Sequence, residues 1–200
     1  MLPVGNWKEV YGCCGYFISD QGQLYSVRSN KLLKPSTSDY MNYRLVPNGC
    51  KKSRPFSASR LVLSHFGKTS KLRPFVDHID NDCQNNSISN LRAVNRTINQ
   101  LNRSTKGYRK YNTGTTQSYY IVNRYYITED GCKVKDYISF PDQKSADIGA
   151  EELKQRFIQN CFKALEEREQ REGVSFRIDP TWYLLFKKKV KGRGIRGRFS

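Results

Sequence analysis

Histidine is scarce in this chain: two residues, His65 and His78, among 200. Any chemistry that needs an imidazole must draw on one of them. Acidic side chains are also few, 18 against 35 Lys and Arg, for a net charge of +17. That imbalance predicts attraction to a polyanion, most simply nucleic acid. Six cysteines stand at 13, 14, 50, 83, 132 and 161, with no Cys-x-x-Cys pair among them. This argues against a zinc ribbon or knuckle, and adjacent Cys13 and Cys14 are poorly placed to bridge each other. No apolar run approaches the length of a membrane span, and Met1 to Glu9 lacks the basic-then-apolar order of a secretory signal. These absences point to an intracellular, non-secreted protein (cytoplasm or nucleus of a host) with reduced thiols and no membrane partner. With 37% hydrophobic residues the chain can build small cores, though not one large one.

The pattern predicts an α+β protein. Tyr16–Ser19 and Gln23–Val27 flank Asp20-Gln21-Gly22, a hairpin signal. A second β pair is expected between Leu32–Lys34 and Tyr43–Val46, with Asn48-Gly49 turning the chain afterwards. Ser57 to Phe66 shows helical spacing, with Ser57 as a possible cap and Gly67 at the end. Phe75–Ile79 and Leu91–Val94 read as strands around a polar loop rich in Asn and Ser. Asn95 is placed to cap a helix reaching about Asn102. Residues 107–117 read as a linker. Strands are expected at Tyr119–Val122, Tyr125–Thr128 and Val134–Phe140. An amphipathic helix follows over about 145–170, its stripe formed by Ala150, Leu153, Phe157, Cys161, Ala164 and Leu165. Eight of the 18 acids fall in 142–172, whereas the last 14 residues hold seven bases and no acid. The tail from Lys187 is expected to be disordered until it meets a target. The domain plan is 1–67, 68–106, the linker 107–117, 118–186 and the tail 187–200.

The chemistry concentrates around Val76-Asp77-His78-Ile79-Asp80-Asn81-Asp82, with Asn90 and Asn99 twelve and twenty-one positions after His78. A neutral imidazole can accept a proton from water. A carboxylate and an amide oxygen are hard ligands suited to Mg²⁺ or Mn²⁺. Neighbours on a strand point to opposite faces, so Asp77 and His78 can share one site only if the strand bends or its surroundings close in. Asn90 is a candidate to accept the His78 Nδ1 proton and fix the ring. His65 and Cys83 are assigned no chemistry, and Asp80 and Asp82 are read as turn residues. The plain alternative is an Asn-rich surface loop around a hydrogen-bonded histidine.

Residues 72–103 resemble the HNH endonucleases, whose fold is the ββα-metal (His-Me finger) module. The resemblance implies His78 as general base, Asp77 and Asn99 as ligands of one Mg²⁺ or Mn²⁺ per site, and Asn90 as the residue that orients His78. It implies hydrolysis of double-stranded DNA, with the metal stabilising the 3′ leaving oxygen. Arg73, Arg92, Arg96, Arg103 and Lys106 are expected to grip the backbone near the cut, and Lys187, Lys188 and Lys189 to hold phosphate from the tail. Trp7-Lys8-Glu9-Val10, Gly15–Ser19, Gly22 and Tyr25-Ser26-Val27 resemble the NUMOD4 module, which commonly precedes an HNH domain in homing endonucleases. Ser59 departs from that family, which often has His there. The strands and helix after residue 118 resemble the AP2-like domains that follow some HNH nucleases, and Tyr119, Tyr120, Arg124, Tyr125 and Tyr126 are candidates to reach DNA. The functional expectation is a metal-dependent DNA endonuclease of the homing type. The rival is a non-catalytic nucleic-acid-binding protein, a regulator or ribonucleoprotein component, on a degenerate HNH scaffold. Oligomeric state is not readable from the sequence, although a monomer with one site would favour nicking.

Overall fold

Short alternating runs broken by turn residues pair most readily with their neighbours in sequence, because closing a short loop sacrifices little entropy. The N-terminal part of the chain is built that way. In the computed structural model, which describes residues 2–37, 39–103, 108–112, 118–128 and 131–184, strands β1 (Trp7–Glu9), β2 (Tyr16–Ser19), β3 (Leu24–Ser26) and β4 (Lys31–Leu33) form one antiparallel sheet in that order. The β2–β3 hairpin turns at Asp20-Gln21-Gly22 as expected, with Gly22 at φ +84. A second sheet has the order β5 (Ser36–Thr37), β6 (Met41–Leu45), β7 (Arg54–Ser57). Both segments of the second predicted β pair are therefore strands, but not with each other. β4 pairs with β3 across a short turn, with Asn30 at φ 50, and β6 pairs with β5 and β7.

Helix α1 (Ala58–Phe66) follows β7 directly. Ser57 is at its N-cap but makes no side-chain capping bond; its Oγ lies 2.9 Å from Ser59 Oγ instead. Gly67 ends the helix at φ −98, so no left-handed conformation is involved. What demands glycine is space: a Cβ there would lie 2.5 Å from Leu63 Cδ1 and 3.1 Å from Ile88 Cδ1. Strands β8 (Phe75–His78) and β9 (Leu91–Val94) make a two-stranded sheet, joined through a 3-10 turn at Ile88–Asn90.

The described residues fall into two units, one up to Ala93 and resuming at Phe176, the other Val94–Ser175. The first has a single apolar core. Ile18, Leu24, Tyr43, Leu45, Phe56, Leu61 and Val62 from the N-terminal sheets and α1 share it with Leu91 and Ala93 of β9. The expected boundary after residue 67 thus cuts through residues that pack together. Trp182 and Tyr183, assigned by sequence to the last domain, belong to the same core. The returning segment is anchored by backbone pairing of Thr69 with Arg177 and by Trp182 Nε1–H donating to Ser70 O at 3.1 Å.

The second unit holds α2 (Arg96–Asn102), β10 (Tyr108–Asn112), β11 (Ser118–Ile127), β12 (Lys133–Phe140) and α3 (Gln143–Arg171). The Asn95 side chain caps α2 as expected, accepting from the Ile98 amide at 3.0 Å. Residues 108–112, read by composition as linker, form a strand against β11. The two strands expected at 119–122 and 125–128 are one continuous strand. β11 lies between β10 and β12. Helix α3 starts at an Asp142 cap and buries Ala150, Leu153, Phe157, Cys161 and Leu165; Ile158 is buried where Ala164 was expected, and Ala164 is exposed. Gly149 lets the helix approach β12, since a Cβ would fall 2.1 Å from the Phe140 ring.

All six cysteines are free. No helix among the described residues is long and apolar enough to cross a membrane.

His65 is structural, as expected. It is buried on α1, its Nδ1 lies 2.8 Å from Leu61 O, and its Nε2 accepts from the Tyr11 amide at 3.1 Å. Burial holds its pKa below the ordinary imidazole value, with the charge of Lys8 adding to the depression. The unfolded chain therefore binds a proton that the folded chain refuses. Stability should be complete above about pH 6.5 and fall as pH drops from there toward the lower folded pKa. Thermal melts across that interval should show the loss in the native chain and a smaller slope in His65→Gln.

Candidate active site

β8 ends by placing two polar side chains side by side. Asp77 and His78 are both buried, and the chain turns immediately, with Asn81 N–H donating to His78 O at 3.0 Å. Asn81 takes φ +65, a conformation Asn tolerates better than most residues. The loop that follows is ordered by its own side chains. Asp80 Oδ1 accepts from the Asp82 amide at 2.8 Å, and Asp82 Oδ1 accepts from the Gln84 amide at 2.9 Å. Asn85 Nδ2 donates to Asp80 Oδ2 at 2.8 Å. That bond above all, with those from the Asp82 amide and Asn90, holds the Asp80 carboxyl below the usual carboxylate range. Asp80 and Asp82 therefore shape the turn, as the sequence suggested.

Asp77 reaches across the sheet. Arg92 Nε–H on β9 donates to its Oδ2 at 2.8 Å, the carboxylate side chain being 5% exposed and the arginine 24%. A buried carboxylate without such a partner would be strongly disfavoured. Arg92, expected on the DNA backbone, is thus engaged at the site itself.

Asn90 does not play the part given to it. Its Oδ1 accepts from the Asp80 amide at 3.1 Å, and its Nδ2 donates to Asp80 Oδ1 at 2.8 Å and Asn85 O at 2.9 Å. Its backbone O accepts from Ile79 N–H at 2.9 Å. All of these bonds close the loop. The amide oxygen facing the imidazole belongs to Asn86, whose Oδ1 is 3.3 Å from His78 Nε2. In the sequence Asn86 is one member of the Asn- and Ser-rich loop, with nothing to single it out. With seven asparagines between 81 and 102, spacing could not say which one meets the ring. The Tyr40 ring also lies beside His78, centroids 6.4 Å apart.

The other candidates divide. Asn99 is on α2, in the second unit, half-buried. Arg96 and Arg103 are exposed. Arg73 is buried with its guanidinium 3.9 Å from the Phe176 ring centroid, so it is a packing residue and not a surface phosphate ligand. Lys106, Lys187, Lys188 and Lys189 lie outside the described residues.

The donor set can be tested against a divalent cation. Among the described residues no three His, Cys, Asp or Glu side chains cluster as a preformed cage. One carboxylate with amide and imidazole neighbours suits Mg²⁺, which keeps several waters and binds through one or two carboxylates plus substrate phosphate. It does not suit a structural Zn²⁺ site, which needs four protein ligands.

Residues 62–101 match the family profile described as HNH endonuclease. The matched HNH stretch contains Asp77, His78, Asn90 and Asn99. The chain is 35% identical over 104 residues to DNA endonuclease I-HmuI of Bacillus phage SP01, covering 50% of this chain and 59% of that protein. It is 37% identical over 78 residues to the uncharacterized HNH endonuclease L245 of Acanthamoeba polyphaga mimivirus, covering 38% of this chain and 23% of that one. The chain therefore spans less than two thirds of either relative. A solved structure, DNA binding and cleavage by the HNH homing endonuclease I-HmuI, aligns over 70% of this chain and 80% of that chain at 26% identity. Its TM-score of 0.41 is too low to establish a shared overall arrangement. Residues 62–101 thus match an HNH endonuclease domain, and the chain is similar to I-HmuI over 104 residues.

The Asp77–Arg92 pair makes a checkable demand. Arg92→Met should destabilise the first unit by about 1–3 kcal/mol, because it leaves a buried acceptor without its charged donor. Asp77→Asn in the same background should recover part of that loss. Urea unfolding of the two variants measures both effects.

Proposed function

We propose that the protein is a metal-dependent DNA endonuclease of the homing type, with His78 as general base. The observation that carries this reading is the HNH match over 62–101, joined to a buried Asp77-His78 pair whose ring is held by an amide. His78 takes a proton from the attacking water. Arg92 orients the Asp77 carboxylate through its Nε–H bond. Asp77 is the proposed metal ligand on the β8 side; Asn99 is proposed as the second from residue type and spacing within the matched segment. When bound, Mg²⁺ or Mn²⁺ would neutralise charge on the scissile phosphate and on the 3′ leaving oxygen. The products would be a 5′-phosphate and a 3′-hydroxyl.

The flanking parts would lengthen the contact with duplex DNA, the N-terminal sheets as a NUMOD4-like module and residues 94–175 through their sheet. β11 turns Tyr126 inward, its ring edge-on to Phe157 of α3 at 5.0 Å, with Val122 buried on the same side. Tyr120 and Arg124 share that inner face by alternation and are only partly exposed, so they are not on the open surface. The opposite face presents Asn123, Tyr125 and Ile127 paired with Tyr137, Lys135 and Lys133. Those six side chains are exposed, and none is acidic. A mixed aromatic and cationic sheet face suits a phosphate backbone and groove edge.

A second reading has one observation in its favour: the Arg92 bond on Asp77. A cation already sits where a metal ligand is proposed, as it would on a scaffold that binds DNA without cutting it. Incubation of supercoiled plasmid with Mg²⁺ separates the two. The endonuclease reading expects nicked or linear product, lost by about a hundredfold or more in His78→Ala, while DNA binding is retained. No product with either metal ion would leave the non-catalytic reading. The Lys133→Ala/Lys135→Ala variant should bind DNA more weakly and lower the salt slope of binding by about 2.

A further inference from the structure

We propose that Asn86 is a positioning residue that keeps the His78 proton on Nε2, so that the ring's lone pair is on Nδ1. The general-base role of His78 rests on the reading above; the tautomer does not. An amide oxygen can only accept, so the 3.3 Å contact between Asn86 Oδ1 and His78 Nε2 is a hydrogen bond only if Nε2 carries the proton. The distance is just beyond the usual range for such a bond, but the amide is not free to turn over. Asn86 Nδ2 donates to Gln84 O at 3.1 Å and approaches Met41 Sδ at 3.1 Å. A flipped amide would set its oxygen against the Gln84 carbonyl. Whatever Nδ1 meets, it then meets as an acceptor.

Asn86 is itself held from the N-terminal sheet. It is buried, and its Cβ is so close to Gly22 that a Cβ on that glycine would lie 2.7 Å away. Gly22 is also the φ +84 residue of the β2–β3 turn. Its carbonyl accepts from Tyr43 Oη–H at 2.9 Å, and Asp20 O accepts from the Ile88 amide at 2.8 Å. The hairpin turn thus backs the loop at Asn86 and again at Ile88. The sheet does more than extend a binding surface: it fixes the residue that fixes the ring.

His65 supplies an internal contrast. Its Nδ1 faces the Leu61 carbonyl and its Nε2 accepts the Tyr11 amide, which demands the opposite tautomer. The two histidines of the chain should therefore give opposite patterns in one spectrum. The test is a long-range ¹H–¹⁵N correlation of the imidazole rings in the ¹⁵N-labelled full chain, above the usual imidazole titration range. The expected result is Nδ1–H for His65 and Nε2–H for His78. In Asn86→Ala the His78 pattern should move toward a tautomer mixture while that of His65, which reports an intact fold, stays put; Asn86→Asp should restore Nε2–H. Cleavage should fall about tenfold or more in Asn86→Ala and recover in part in Asn86→Asp. An Nδ1–H pattern for His78 in the native chain, or an unchanged pattern in Asn86→Ala, overturns the proposal. The expected patterns in a chain that never cleaves DNA would sink the endonuclease reading and leave the positioning role standing.

Discussion

A carboxylate and an imidazole lie buried next to each other at the end of β8, and neither can stay there without partners. Most of the surrounding structure answers that demand. Asp77 is satisfied across the sheet by Arg92, and His78 along the chain by Asn86. The two partners come from different places because strand neighbours diverge: one side chain meets β9, the other meets the loop. Two polar groups that would oppose folding singly become tolerable through separate, specific bonds.

The loop's composition follows from the same demand. A connection that must put an amide oxygen on a ring nitrogen needs a rigid path, yet it has no strand or helix to supply one. Asparagine and aspartate build that path because their side chains imitate backbone turns. Asp80 and Asp82 bond forward to amides two residues on, and Asn90 closes the far end onto Asp80 and Asn85. The asparagines that crowd this segment are therefore not interchangeable. Asn90 shapes, Asn85 braces Asp80, and Asn86 meets the ring.

Local rules made much of this legible. The hairpin at Gly22, the α1 helix, both strands of the HNH stretch and the Asn95 cap of α2 all follow from turn chemistry, periodicity or capping read over a few residues. What was missed depends on long separations. Trp182 packs into a core 112 positions from Ser70, which its indole meets. β6 takes its partners from 36–37 and 54–57, a choice that alternation alone does not decide. Residues 108–112 look like a linker by their Gly, Lys and Asn surroundings, yet an edge strand needs only a neighbour with open hydrogen bonds, and β11 provides it. At the site, residue types and positions 77 and 78 were readable. The identity of the orienting amide was not, since spacing ranks Asn90 and Asn86 alike until Gly22 is seen pressed against one of them.

That last contact bears on why an N-terminal sheet should accompany the short HNH-matching segment at all. β8, the loop and β9 contribute few apolar groups of their own; Leu91 and Ala93 enter a core otherwise built from the N-terminal sheets, α1 and the returning Trp182 segment. A two-stranded sheet of this size is marginal in water without such support. The same sheets that supply the apolar burial also supply Gly22 and the Asp20 carbonyl behind the loop. Stability and ring placement therefore share one set of residues. Loosening the β2–β3 turn would act on the imidazole through Asn86, because the turn touches the loop directly.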